Sequence, residues 1–297
     1  MLKLGIIGSS PGNGHPYSWS AIFNGYDPEA MTTCPFPVIP QYLAERCFPE
    51  ESLQQGRVTH IWTQDPALSA HIAAASRISH VVDRFQDMIG EVDALLLARD
   101  DAETHEAFAA PFLEAGVPVY IDKPLALDQK TADRILSQER FPGQLFSCTP
   151  LIYAQELALS AADREALGRI YHVAAVTPKY WDTYAVHIIE PTLQYLGVTR
   201  SPHHTAGTVC GDRRILTASW DNQISASFTT TGNLPGRIEY QLFGEKGAQQ
   251  RVFVDSFSAF RAALKVFCDG IVNRHRMYDP IRLSLVTELI ERGRVEA

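Results

Sequence analysis

Along the first half of the chain, short apolar runs alternate with amphipathic stretches. Residues 2–7 form an apolar run that predicts a buried strand, and residues 15–24 a helix. Further strands are predicted at 58–63, 81–83, 92–98, 117–121 and 143–148, with helices at 67–76, 85–89, 103–115 and 128–138. The run at 92–98 is almost wholly apolar, as a strand covered on both faces must be. Strands that alternate with helices imply right-handed crossovers and a parallel sheet. Beyond residue 150 the texture changes. Helices are predicted at 153–167 and 187–196, with a strand at 170–177. Strand-like runs then follow one another at 205–210, 215–220, 223–230, 237–243 and 249–254, and helices at 257–273 and 281–292 close the chain. Consecutive strands without intervening helices predict a mostly antiparallel sheet.

The expected fold class is α/β: a doubly wound parallel sheet of Rossmann type, followed by an α+β domain with a mostly antiparallel open sheet. The expected domains are 1–124 and 125–297, with the C-terminal helix packing back on the first. Between the first helix and the second strand, residues 26–56 carry Pro28, Pro35, Pro37, Pro40 and Pro49, and predict an elaborated, ordered loop with one short helical stretch.

Composition narrows the function classes. Lys and Arg total 26 and Asp and Glu 34, a net charge of −8, which argues against broad binding to nucleic acid or anionic membrane. The five cysteines are scattered without a CxxC pair, so neither a disulfide framework nor a zinc site is expected. His203 and His204 lack partners at ligand spacing, so no metal is expected there. No apolar run reaches the roughly 18 residues of a membrane span, and the first residues do not read as a signal peptide; the expected location is cytoplasmic.

Three stretches carry chemistry. Gly8-Ser9-Ser10-Pro11-Gly12-Asn13-Gly14 lies between the first strand and the first helix, the context of a phosphate-binding loop, although its spacing departs from G-x-G-x-x-G. Asp122-Lys123-Pro124 ends the strand at 117–121, at the sheet edge where open α/β folds bind ligands. Pro124 holds Lys123 on extended backbone. A third stretch, residues 179–190, brings Lys179, Tyr180, Trp181, Asp182, Tyr184, His187 and Glu190 together.

Taken together, these stretches resemble the glucose–fructose oxidoreductase / inositol dehydrogenase family of NAD(P)-dependent oxidoreductases. Residues 114–126 carry the most specific part of the likeness, with Asp122 where the family usually has glutamate. The resemblance implies a hydride transfer between a nicotinamide and a hydroxyl or keto carbon of a sugar, sugar derivative or cyclic polyol. It implies Lys123 and His187 as the catalytic pair, with Asp182 displaced by one position from the family's aspartate. It implies NAD, with NADP as the alternative, held by Gly8, Ser9, Ser10, Gly12, Asn13, Gly14, Thr63, Asp65, Arg99 and Asp122. Substrate contacts are expected from His15, Tyr153, Trp181 and Tyr184, and a homo-oligomer through the open sheet. Two other outcomes stay open at this stage: an enzyme of the same fold that uses NAD to cleave glycosides, and a dinucleotide-binding sensor or scaffold without turnover.

Overall fold

The computed structural model describes residues 1–221 and 223–295. The chain divides into two compact units. The first comprises Met1–Asp122, Asp133–Ser147 and Ser256–Tyr278; the second comprises Lys123–Ala132, Cys148–Asp255 and the chain from Asp279. A single cut at residue 124 therefore misses two returns to the first unit. One is forced by strand pairing and the other by an aromatic helix face.

The first unit holds strands β1 (Leu2–Ile7), β2 (Gly56–Trp62), β3 (His80–Val81), β4 (Ala94–Leu97), β5 (Val119–Ile121) and β6 (Leu145–Phe146). They form one parallel sheet in the order β3-β2-β1-β4-β5-β6, the doubly wound Rossmann arrangement. Helix α1 (His15–Asn24) follows β1 over the predicted span. Pro16 sits in its first turn, where its fixed φ and missing N–H cost nothing. The 26–56 segment is built around α2 (Pro28–Met31) and α3 (Val38–Ala44), two helices where one was expected. Prolines stand at their starts, and Asp27 caps the first by accepting from Ala30 N. Helices α4 (Pro66–Ala75) and α5 (His105–Glu114) complete the crossovers, and α6 (Gln129–Leu136) precedes β6.

Pairing of β6 with β5 returns residues 133–147 to this unit. Helix α9 (Ser256–Asn273) returns for a different reason. Its Phe267 packs on Tyr120 and Phe146 of the sheet, and its Phe257 on Tyr42 and Phe48 of the proline-rich segment. Phe257, Leu264 and Phe267 are almost fully buried, and an aromatic side chain fully buried stabilises by about 1.5–3 kcal/mol.

The second unit departs from expectation at its start. In place of one helix over 153–167 the chain makes two 3-10 turns, Pro150–Tyr153 and Gln155–Leu157, and then α7 (Ala161–Leu167). The break follows from a capping box: Ser160 Oγ accepts from Asp163 N at 3.1 Å while Asp163 accepts from Ser160 N at 2.9 Å. Strand β7 (Ile170–Thr177) leads to α8 (Trp181–Leu196), and β8 (His204–Cys210), β9 (Arg213–Ser219), β10 (Ser225–Thr230), β11 (Glu239–Gly244) and β12 (Ala248–Val252) follow. Helices α9 (Ser256–Asn273) and α10 (Pro280–Val295) end the described chain.

The second sheet runs β12-β11-β7-β10-β9-β8, antiparallel except for the β7–β10 pair. Side chains alternate across it: Val173, Ala175, Leu216, Ala218, Phe228, Tyr240 and Leu242 are buried, while Val176, Ile215 and Phe243 are exposed. Helix α8 packs against β7 and β10, and α10 packs on α8. None of the described helices is long and apolar enough to cross a membrane.

Candidate active site

At the carboxyl edge of the first sheet, the loop between β1 and α1 lies where the strand order reverses between β1 and β4, the place such sheets bind ligands. Gly12 has φ +80°, and nothing lies within 4 Å of where its Cβ would stand. Its face is open to a ligand and its backbone conformation requires glycine. Gly8 and Gly14 serve packing instead. A Cβ on Gly8 would stand 2.3 Å from Pro16, and one on Gly14 would stand 2.5 Å from Ile39 and 2.8 Å from Phe36. The proline-rich segment is therefore packed against the end of the glycine loop.

A polar network fixes this loop. Gln64 clamps Ser9, accepting from its N–H at 3.2 Å and donating to its carbonyl at 2.8 Å. Ser10 Oγ donates to Asp100 at 2.5 Å and accepts from the Asp100 N–H. Asn13 donates to Asp122 at 3.0 Å, and His15 Nδ1 lies 2.5 Å from the same carboxylate oxygen. Open glycine backbone at the switch point leaves a face that fits a dinucleotide's diphosphate.

Several expected cofactor contacts are committed elsewhere. Thr63 is buried, and its hydroxyl donates to the Asp65 carbonyl and meets Ser69 Oγ. Asp65 is the N-cap of α4, accepting from Ala67 N at 2.9 Å. This pair closes a turn, and the Asp65-Pro66 dipeptide is itself a helix-start signal. Arg99 forks onto Asp101 at 2.9 and 2.5 Å, donates to Gln64 at 3.0 Å and lies over the Phe108 ring. Asp122 is fully buried and turned to Asn13 and His15.

In the second unit, side chains gather around Tyr184 on α8. Lys123 Nζ lies 5.8 Å from its ring centroid, and the His187 ring meets it edge-on at 5.0 Å. Lys179 Nζ donates to the Tyr184 hydroxyl at 2.5 Å. Lys123 and His187 are both buried, at 2 % and 6 % exposure. Helix α8 starts at Trp181, so His187 lies inside it rather than at its start. Residues 185–193 are buried without a break, and Trp181, one turn before them, is buried too, so the helix starts inside the core.

His187 is held at its ring and at its backbone, and Glu190 fixes the residue that holds the ring. Thr149 Oγ1 lies 2.7 Å from Nδ1, the Thr149 N–H donates to Glu190 at 2.6 Å, and the Tyr240 hydroxyl donates to the His187 carbonyl at 2.5 Å. Burial pushes the Glu190 carboxyl up to about 7, against the opposing pull of the Thr149 N–H and Arg282. Asp182 does not join this cluster; it pairs with Arg294 at 3.1 Å. Trp181 faces the protein interior, with Nε1 donating to the Ile290 carbonyl at 2.9 Å. Tyr153 is half-buried, and burial holds its hydroxyl protonated. Thr149 and Tyr240 are not signalled by sequence as site residues. Thr149-Pro150 at a strand end marks a cap, and Thr149 does cap the following 3-10 turn.

Residues 41–148 match the model of an oxidoreductase family with an NAD-binding Rossmann fold. No curated protein sequence matches the chain. Among solved structures, myo-inositol 2-dehydrogenase from Lactobacillus plantarum is similar with a TM-score of 0.74 at 13% identity, over 100% of this chain and 97% of that one. UDP-N-acetylglucosamine 3-dehydrogenase from Acidithiobacillus ferrooxidans aligns with a TM-score of 0.70 at 14% identity, over 100% and 97%. Biliverdin reductase from Synechocystis sp. PCC 6803, solved with biliverdin and NADP+, aligns with a TM-score of 0.70 at 14% identity, over 100% and 99%. At such identities these structures show the fold, and the family match shows a nicotinamide dinucleotide as the cofactor. The matched span includes the glycine-loop partner Gln64 and the Asp122-Lys123-Pro124 strand end, so over this part the chain is similar to that NAD-binding oxidoreductase family.

Proposed function

We propose that the protein is an NAD(P)-dependent dehydrogenase that moves a hydride between the nicotinamide and a hydroxyl or keto carbon of a sugar, sugar derivative or cyclic polyol. The observation that carries this reading is the convergence of Lys123 and His187 on one ring, Tyr184, although they come from different parts of the chain.

When bound, the dinucleotide supplies the hydride acceptor or donor. The protein's own task is to hold the reacting hydroxyl and manage its proton. A histidine exchanges protons near neutral pH and serves both directions. An ammonium beside the reacting oxygen stabilises developing alkoxide charge. Thr149 and Tyr240 hold the His187 ring and its backbone, which reduces the reorganisation needed at the moment of reaction. Tyr184 offers an aromatic face of the kind that stacks on the apolar side of a sugar ring, beside the amines of Lys179 and Lys123.

The test is turnover of a panel of polyols and sugars followed at the reduced-nicotinamide band. Lys123→Ala and His187→Ala are each expected to lower turnover by about 100-fold or more, the scale of losing a positioned acid–base group. Full activity in either variant would refute the pair. A chain that uses bound NAD to cleave glycosides would consume substrate with no net change at that band, and a scaffold would show no turnover at all.

The same reading includes a cytoplasmic homo-oligomer. Its support is the outward face of the second sheet, where Val176, Ile215 and Phe243 are exposed. Sedimentation of Ile215→Lys against the unaltered chain tests that part: a smaller species is expected, and an unchanged one removes this face from consideration.

A further inference from the structure

Helix α1 presents an unusual start for a helix at a phosphate-binding turn. Anions are ordinarily held there by the free N–H groups of the first turn. In this chain those groups are spent. The His15 N–H donates to Asn13 Oδ1 at 2.7 Å. Pro16 has no N–H. The Tyr17 N–H donates to the Gly14 carbonyl at 3.1 Å. None of the first three residues of α1 offers an amide to a ligand, and the nearby Arg99 is forked onto Asp101.

One side chain at this point is built as a replacement. The His15 ring lies parallel to Trp19, with centroids 5.2 Å apart and 10° between planes, and Phe260 meets it edge-on at 4.8 Å. Nδ1 lies 2.5 Å from Asp122 Oδ2, and that carboxylate is buried and also held by Asn13. Of Trp19, Phe260 and Asp122 around the ring, Asp122 is the ionisable one. Nε2 has no hydrogen-bond partner among the described residues, and the His15 side chain keeps 15% exposure. Nδ1 serves the carboxylate, so Nε2 is the ring nitrogen left to face a ligand, and a proton there makes it a charge-assisted donor to an anion.

We propose that His15 holds a phosphate oxygen of the dinucleotide through Nε2–H, taking the place of the consumed helix amides, and that Asp122 is the positioning residue that fixes its ring. This rests on the dinucleotide-dependent reading above. It assigns the buried acid of Asp122-Lys123 to holding His15, while Lys123, the next residue, keeps its part in the chemistry.

The test is binding, measured by calorimetry with ADP-ribose, which carries the diphosphate, and with adenosine, which does not. For the unaltered chain, ADP-ribose is expected to move the His15 Nε2 resonance in a histidine-labelled NMR spectrum, and adenosine is expected to leave it in place. His15→Gln and Asp122→Asn are each expected to weaken ADP-ribose about tenfold or more while leaving adenosine affinity within about threefold. Circular dichroism confirms that each variant is folded, and the resonance shift in the unaltered chain needs no variant. An unmoved resonance, or a His15→Gln chain that binds ADP-ribose normally, overturns the proposal. If His15→Gln binds normally and loses only turnover, the ring handles protons and not phosphate, which also overturns it. Failure of the dehydrogenase reading shows separately, as normal ADP-ribose binding in Lys123→Ala with unchanged turnover.

Discussion

Thr149 Oγ1 lies 2.7 Å from His187 Nδ1, and this contact orients the imidazole. The hydroxyl comes from the turn after β6, not from α8 itself, so a residue remote in sequence sets the ring. Thr149→Val keeps the shape and removes the hydroxyl. Its kcat is expected to fall about tenfold, the lower end of what losing an orienting partner costs, with the substrate KM little changed. Thr149→Ser is expected to restore the rate. A valine variant with an unaltered kcat would remove Thr149 from the site.

Glu190 makes stability depend on pH with a definite sign. Burial raises its carboxyl from 4.5 to about 7. Between those values the folded chain binds the proton more tightly than the unfolded one. The stabilising contribution is therefore complete below about 4.5 and is lost as pH rises through about 7. At roughly 1.4 kcal/mol for each unit of pH, the loss across the window amounts to about 3 kcal/mol. Glu190→Gln keeps an acceptor for the Thr149 N–H and removes the titration. Urea denaturation at pH 5, 6, 7 and 8 is expected to show a flatter profile for this variant, with its advantage over the unaltered chain growing toward pH 8. Parallel profiles would show that Glu190 does not titrate in this range.

Two glycines of one loop are expected to fail in different assays. Gly14→Ala would drive a Cβ against Ile39 and Phe36, an overpacking expected to cost about 1–3 kcal/mol and to appear in the melting temperature. Gly12→Ala meets nothing in the protein. Its backbone conformation costs about 1 kcal/mol, but its methyl would stand on the face open to a ligand. Reduced-nicotinamide fluorescence is expected to show a larger loss of affinity for Gly12→Ala than its stability loss explains. Equal losses of stability and affinity in the two variants would mean that the open face is not used.

How much was legible follows from the range of the forces involved. The β1 strand and α1 have the predicted bounds because local signals agree: an apolar run, glycines, then Pro16 in a first turn. The helix expected over 153–167 failed on a local signal as well, the Ser160–Asp163 capping box, which outweighs the apolar spacing around it. Trp181 and Asp182 read as a site loop by likeness, whereas Trp181 is buried against α10 and both residues stand in the first turn of α8. Asp65 shows two local meanings in competition, a strand-end acid and a helix cap, and the cap prevails through its bond from Ala67 N. The Thr149–His187 and Asp122–His15 contacts depend on how distant segments pack, so no local pattern announces them.

Trp181 separates packing from substrate contact most directly. It is nearly fully buried, donates through Nε1 to the Ile290 carbonyl, and lies so close to α10 that a Cβ on Gly293 would stand 2.1 Å from its ring. That ring is core, and glycine at 293 makes room for it. Trp181→Ala is expected to destabilise the chain by about 3–5 kcal/mol, and Gly293→Ala by about 1–3 kcal/mol, read as shifts in the denaturation midpoint. Trp181→Phe keeps most of the apolar volume and loses the hydrogen bond, so it is expected to fold with a smaller loss. Its substrate KM is the discriminating number. A KM within about threefold of the unaltered chain supports a packing role, and a rise of tenfold or more would return Trp181 to the substrate's surroundings.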